Sequence, residues 1–129
     1  MHEGYVNSQA RKIERLILKR GEKFTFTRYK KNEFNEVGTE LDKIISFTGV
    51  FHISNKANIG SYTQVFNEDA TRREVRKQYS IITTYDRFVG NEVQIDDIVE
   101  IANKKYKVMA YYDIESLHYG IEVSLEDIL

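Results

Sequence analysis

Apolar and polar residues alternate with period two from Gln94 to Ile114, and the rest of the chain can be read outward from this stretch. Ile95, Asp97, Val99 and Ile101 oppose Asp96, Ile98 and Glu100. Tyr106, Val108, Ala110 and Tyr112 then oppose Lys105, Lys107, Met109 and Tyr111. Two alternating runs about a short polar turn, Asn103-Lys104-Lys105, predict a β-hairpin. Asn tolerates the positive φ of tight hairpin turns, although the strongest pair, Asn-Gly, is absent.

The same periodicity predicts strands at Lys23–Tyr29, Ile44–Ile53, Tyr79–Phe88 and Gly120–Leu125. In the second of these, Ile45, Phe47, Gly49, Phe51 and Ile53 share a face, and Gly49 predicts a bulge or sharp bend. Charge and turn formers make Lys30–Asp42 a loop, Val89-Gly90-Asn91 a turn and Glu115–His118 a link. Near the N-terminus the period changes to that of a helix. Ala10, Ile13, Leu16 and Ile17 form an apolar stripe, Asn7 or Ser8 can cap it, and Gly21 follows Arg20 as a stop. Arg11, Lys12, Arg15 and Lys19 occupy most of the other face, so this basic amphipathic helix either lies on the core or docks a partner.

One segment breaks the pattern. Asn55–Tyr79 is polar and Gly-containing, with an apolar patch at Tyr62, Val65 and Phe66 and one or two helical turns expected from Asp69 to Gln78. So long an excursion between strands is either functional or disordered. The expected fold is mainly β: one domain, 1–129, forming a small antiparallel β-barrel of about six strands with an N-terminal helix (7–20) and a long inter-strand loop (55–79).

Composition narrows the classes. A chain of 129 residues can bury a core unaided, and zero Cys removes disulfides and thiolate chemistry, as suits a reducing compartment. No apolar run nears the roughly 20 residues that span a bilayer, and the Met1 region lacks a signal-peptide core, so a soluble protein made in the cytoplasm is expected, with no membrane partner. Zero Pro leaves the strands unbroken, and 9 Tyr with 7 Phe favour pleated surfaces. Net charge is −1 but uneven: Met1–Asn35 holds 9 Lys/Arg against 4 Asp/Glu, and Asp86–Leu129 holds 4 against 10. Such opposite ends suit stacking on a neighbour or on further copies, or are ordinary surface charge clustered by chance.

No residue set converges on catalysis. His2, His52 and His118 are far apart and lack metal-ligand spacing, and alternation sends Asp96 and Asp97 to opposite faces, away from a shared cation with Glu100. Phosphate loops and nucleophile elbows are absent. Arg72, Arg73, Arg76 and Lys77 are interleaved with Glu68, Asp69 and Glu74, which makes a salt-bridged face rather than a phosphate site. The expectation is a non-enzyme without metal or cofactor.

The run from Asp96 to Leu129 resembles the C-terminal half of the head-closure, or stopper, proteins in the neck of long-tailed bacteriophages. The matching positions are Asp97, Ile98, Val99, Lys105, Tyr106, Lys107, Val108, Gly120, Ile121, Val123 and Leu125. Asp96 stands where such proteins often have Gly, and similar hairpins occur in other small barrels. The resemblance implies a structural virion protein: a homo-oligomeric ring, dodecameric by resemblance, that joins portal-adaptor and tail proteins and assembles in the host cytoplasm. It implies that the long inter-strand loop closes the channel on packaged DNA without binding it specifically. Ile59, Gly60, Ser61, Tyr62 and Val65 are then the candidate plug residues, and Arg11, Lys12, Arg15 and Lys19 the candidate docking residues. A tail-completion or other connector subunit is the nearest alternative. A small-barrel nucleic-acid-binding module is the alternative of another class, but it needs a basic, aromatic-lined face.

Overall fold

Alternation of Phe24 and Phe26 with Thr25 and Thr27 gives strand β1 (Glu22–Lys31), whose phenyl rings point inward and whose threonines point out. The structure, a computed structural model, describes residues 2–57 and 75–128. Before β1 lies helix α1 (His2–Arg20), and after it come β2 (Val37–Ala57), β3 (Val75–Thr84), a single helical turn α2 (Tyr85–Phe88), β4 (Ile98–Ile101), β5 (Lys104–Asp113), a 3₁₀ turn (Ile114–Ser116) and β6 (Gly120–Asp127). All pairings are antiparallel, and the order β1-β2-β3-β6-β5-β4 returns to β1 through Phe26 opposite Val99 and Thr27 opposite Ile98. The expected six-stranded antiparallel fold is present as a ring-like sheet with one N-terminal helix.

The ring encloses one apolar core. Phe26, Val99, Val108, Val123 and Ile81 are wholly buried, and Phe26 stacks on Phe47 with centroids 5.1 Å apart. Phe88 is swung into the same core by α2, which Thr84 caps by accepting the Arg87 N–H at 3.3 Å. The strand expected to run through Phe88 therefore stops at Thr84. At the other end Tyr106 lies 5.0 Å from Tyr79 and 5.5 Å from Phe51, an aromatic trio that closes the core.

Several expected boundaries move. The helix begins at His2, so Asn7 and Ser8 lie inside it rather than capping it. Its extra turn is held by Tyr5, whose hydroxyl donates to Glu115 at 2.7 Å. The loop expected over Lys30–Asp42 shrinks to Asn32–Glu36, because β2 already starts at Val37. Asn32 organises that turn, its side-chain oxygen accepting the N–H groups of Phe34 and Glu36, each at 2.9 Å. The hairpin turn sits at Ala102-Asn103, both at positive φ (49° and 66°), a two-residue type I′ loop that leaves Lys104 and Lys105 in β5. Gln94–Asp97 is a turn rather than strand.

Gly49 marks no bulge. The irregular pairing lies nearer the turn, between Arg28 and Tyr29, where Asp42 is the unmatched residue, and again between Tyr29 and Lys31. Gly49 is instead where β2 passes from β1 to β3: it pairs with Glu22, and Val50 pairs with Ile82. A Cβ there would stand 2.8 Å from the Ile82 carbonyl oxygen, so the crossing needs a residue without a side chain. Beyond Gly49 the expected inward face fails at Ile53, which is 51% exposed.

Candidate interaction surface

Two features stand outside the ring, and the first follows from strand lengths. β2 has 21 residues, more than one wall of so small a ring can use. β3 meets β6 only from Tyr79 onward, yet pairs with β2 back to Val75 opposite Ala57. Ser54–Ala57 and Val75–Gln78 therefore pair only with each other, as a two-stranded ribbon that projects past the aromatic trio. The long loop expected over Asn55–Tyr79 is strand at both ends, and the helical turns expected to reach Gln78 give way to strand from Val75. The plug candidates Ile59, Gly60, Ser61, Tyr62 and Val65 lie outside the described residues, as do Arg72 and Arg73.

The second feature is the outer side of α1. The helix lays Val6, Ala10, Ile13 and Ile17 toward the ring and packs on β2, β3 and β6. Glu14 fastens it to Arg87, whose Nη2 donates to Glu14 Oε1 at 2.8 Å and whose Nη1 donates to Thr84 Oγ1 at 3.2 Å. That bidentate partner holds the Glu14 carboxyl below its ordinary range. Lys12, Arg15 and Lys19 are exposed on the opposite face, around Leu18, which is 76% exposed. The structure thus brings three of the four docking candidates onto one accessible stripe, while Arg11, also exposed, borders the cleft on the other side of the helix.

Between α1 and the Thr84–Arg87 turn lies a cleft of about 840 Å³, lined also by His118 and Tyr119. Two of its polar side chains are held in ion pairs, Glu14 with Arg87 and His118 with Asp113, and beside it the Tyr5 hydroxyl donates to Glu115. The Tyr119 hydroxyl is pushed up to about 12, first by burial and then by its hydrogen bond to Glu115. The cleft thereby anchors the helix. Among the described residues no group of three or more His, Asp or Glu could hold a metal ion.

The two acidic side chains before β4 point apart as expected, but it is the turn at Gln94–Asp97 and not strand alternation that separates them. Asp97 is 1% exposed and takes Arg28 in a two-pronged pair, Nε and Nη2 each 3.0 Å from a carboxylate oxygen, while accepting the Gln94 N–H at 2.8 Å. Asp96 points outward, 3.6 Å from Lys31 Nζ, at φ 76°. Glycine adopts that left-handed backbone freely, and Asp is one of the few other residues that tolerates it. No family model matches the chain, and no curated protein matches it.

Sequence reading missed one surface. Phe34 at the β1–β2 turn is 74% exposed, and Val37, Leu41 and Ile44 on β2 are 45%, 49% and 57% exposed. The signal was the alternation Val37, Thr39, Leu41 against Gly38, Glu40, Asp42, masked by charge and glycine.

Proposed function

We propose that this chain is a structural subunit of a phage neck, a small closed barrel that joins others in a ring between the portal-adaptor and the tail. The observation that carries the reading is the ribbon of Ser54–Ala57 and Val75–Gln78, which leaves the ring as a stalk and bears residues 58–74 at its end. An isolated two-stranded ribbon is marginal in water, so a stalk of this kind suits a segment stabilised among copies. The resembling residues support the same reading, because all but Asp97, in the turn before β4, fall on β4, β5 and β6, which are consecutive neighbours in the sheet. Exposed Glu92, Glu100 and Glu126 on this acidic part of the chain would let DNA pass without sticking. On this reading the protein catalyses nothing, Ile59, Gly60, Ser61, Tyr62 and Val65 face the channel, and the basic stripe of α1 meets a neighbouring protein.

Joining Ala57 to Val75 by a two-residue Asn-Gly turn in the phage tests the plug. Particles should assemble with necks but lose their DNA on storage. Full DNA retention by such particles would contradict the role given to residues 58–74.

A further inference from the structure

Two exposed surfaces of the chain complement each other and cannot meet within one copy. The first is the end of the β1–β2 hairpin, where residues 33–42 carry four acidic side chains around exposed Phe34, Val37 and Leu41, and the two lysines across the hairpin are engaged, Lys30 with Glu40 and Lys31 with Asp96. The second is the outer stripe of α1, where Arg15, Lys19 and their neighbours flank Leu18 over a shallow, mostly apolar depression of about 450 Å³. Each joins an apolar centre to a charged margin, and the margins are of opposite sign. Charge complementarity of this kind fixes register between partners, while the apolar centre supplies the driving force.

Topology keeps the two apart. α1 ends at Arg20 beside the start of β1, and the hairpin end follows the last residue of β1, Lys31. Ten residues of strand at about 3.3 Å each place them about 30 Å from one another. We infer that the β1–β2 hairpin end of one copy docks on the outer face of α1 of the next. Unlike surfaces that pair between copies make a head-to-tail contact, which closes into a ring or runs on as a filament. The contact rests on the ring reading above for its closure, but not for the pairing of the two surfaces. Phe34 and Leu18 are the central apolar residues. Glu33 and Glu36 face the basic stripe, and Glu40 is already engaged with Lys30 at 3.1 Å.

Sedimentation velocity of the full chain over a concentration series, at low and high salt, tests this with two charge reversals. One carries Arg15→Glu and Lys19→Glu; the other carries Glu33→Lys and Glu36→Lys. All four positions are exposed, and circular dichroism checks that both variants fold. The wild type should self-associate, more weakly at high salt. Each reversal alone should raise the dissociation constant at least tenfold, and mixing the two reversed chains should restore association, because each then offers the other a complementary face. A wild type that stays monomeric throughout, or reversals that change nothing, or a mixture that does not recover, would overturn the inference. Rings that persist in both reversed chains would remove this contact and leave the neck reading standing. Absence of the protein from particles would remove the neck reading and leave this contact standing.

Discussion

Substituting Asp97 by Ala strikes the buried ion pair at its less exposed partner. The side chains of Arg28 and Asp97 are 15% and 2% exposed, and the carboxylate takes two guanidinium hydrogen bonds at 3.0 Å and one backbone N–H at 2.8 Å. Loss of one partner of a buried pair costs about 3–5 kcal/mol, because the other charge stays desolvated and uncompensated. Arg28 can turn part of its guanidinium to water, so the lower end, about 3 kcal/mol, is expected. Against a total of about 5–15 kcal/mol that is a large fraction, equivalent to a melting temperature lower by about 10 °C in a domain of this size. The Gln94–Asp97 turn should loosen with it, since the Asp97 carboxylate also holds the Gln94 N–H. Urea and thermal unfolding measure the loss. Replacing both partners, Arg28→Met with Asp97→Leu, strands no charge and should recover part of the loss, leaving about 1–2 kcal/mol because the Gln94 N–H loses its acceptor. A loss under about 1 kcal/mol for Asp97→Ala would refute the reasoning.

Three further outcomes follow from local geometry. Ala102→Asn with Asn103→Gly places the preferred pair in the type I′ turn and should raise stability by about 1 kcal/mol in urea unfolding, since Ala at φ 49° is strained. Tyr119 is raised in the folded chain above the ordinary 10.0, so its contribution to stability is whole below pH 10 and is lost as pH climbs toward about 12. In an alkaline titration of phenolate absorbance, Tyr119→Phe should remove the last step; an unchanged curve would contradict its burial beside Glu115. Glu14 is lowered below its ordinary 4.5, so its tie to Arg87 contributes above pH 4.5 and fades as pH falls through the lowered value. The effect is small because the Glu14 side chain is 42% exposed and water screens it. The protection of α1 amides, each exchange rate compared with the intrinsic rate at the same pH, should fall on acidification, and Glu14→Gln should flatten that response.

The strands were legible wherever one face is buried and the other wet. Phe24 and Phe26, Ile45 and Phe47, Ile81 and Thr83, and Ile121, Val123 and Leu125 all show the period, and all are buried. The signal failed where strands leave the core. Val37–Asp42 and the ribbon residues Ser54–Ala57 and Val75–Gln78 belong to two-stranded extensions, and with no core to face they show no clean apolar alternation. Phe88 continued the strand pattern in sequence but reaches the core through a helical turn, a choice made by the Thr84 cap. The first turn of α1 was hidden because its anchor, Tyr5 on Glu115, spans 110 residues. Of the interaction surface, the basic stripe of α1 was legible from helical spacing alone. Its complement at Phe34 and Leu41 was not, since only the pairing of β1 with β2 brings those residues to one exposed end.

The central claim is that this chain is built into phage particles as a ring of the neck. Quantitative mass spectrometry of density-purified particles released from the source strain, with copy number taken against the capsid protein, measures it directly. A few copies per particle, in a ring-like ratio, are expected. Particles free of the protein, with all of it left soluble in the lysate, would contradict the claim and bring the nucleic-acid-binding module forward.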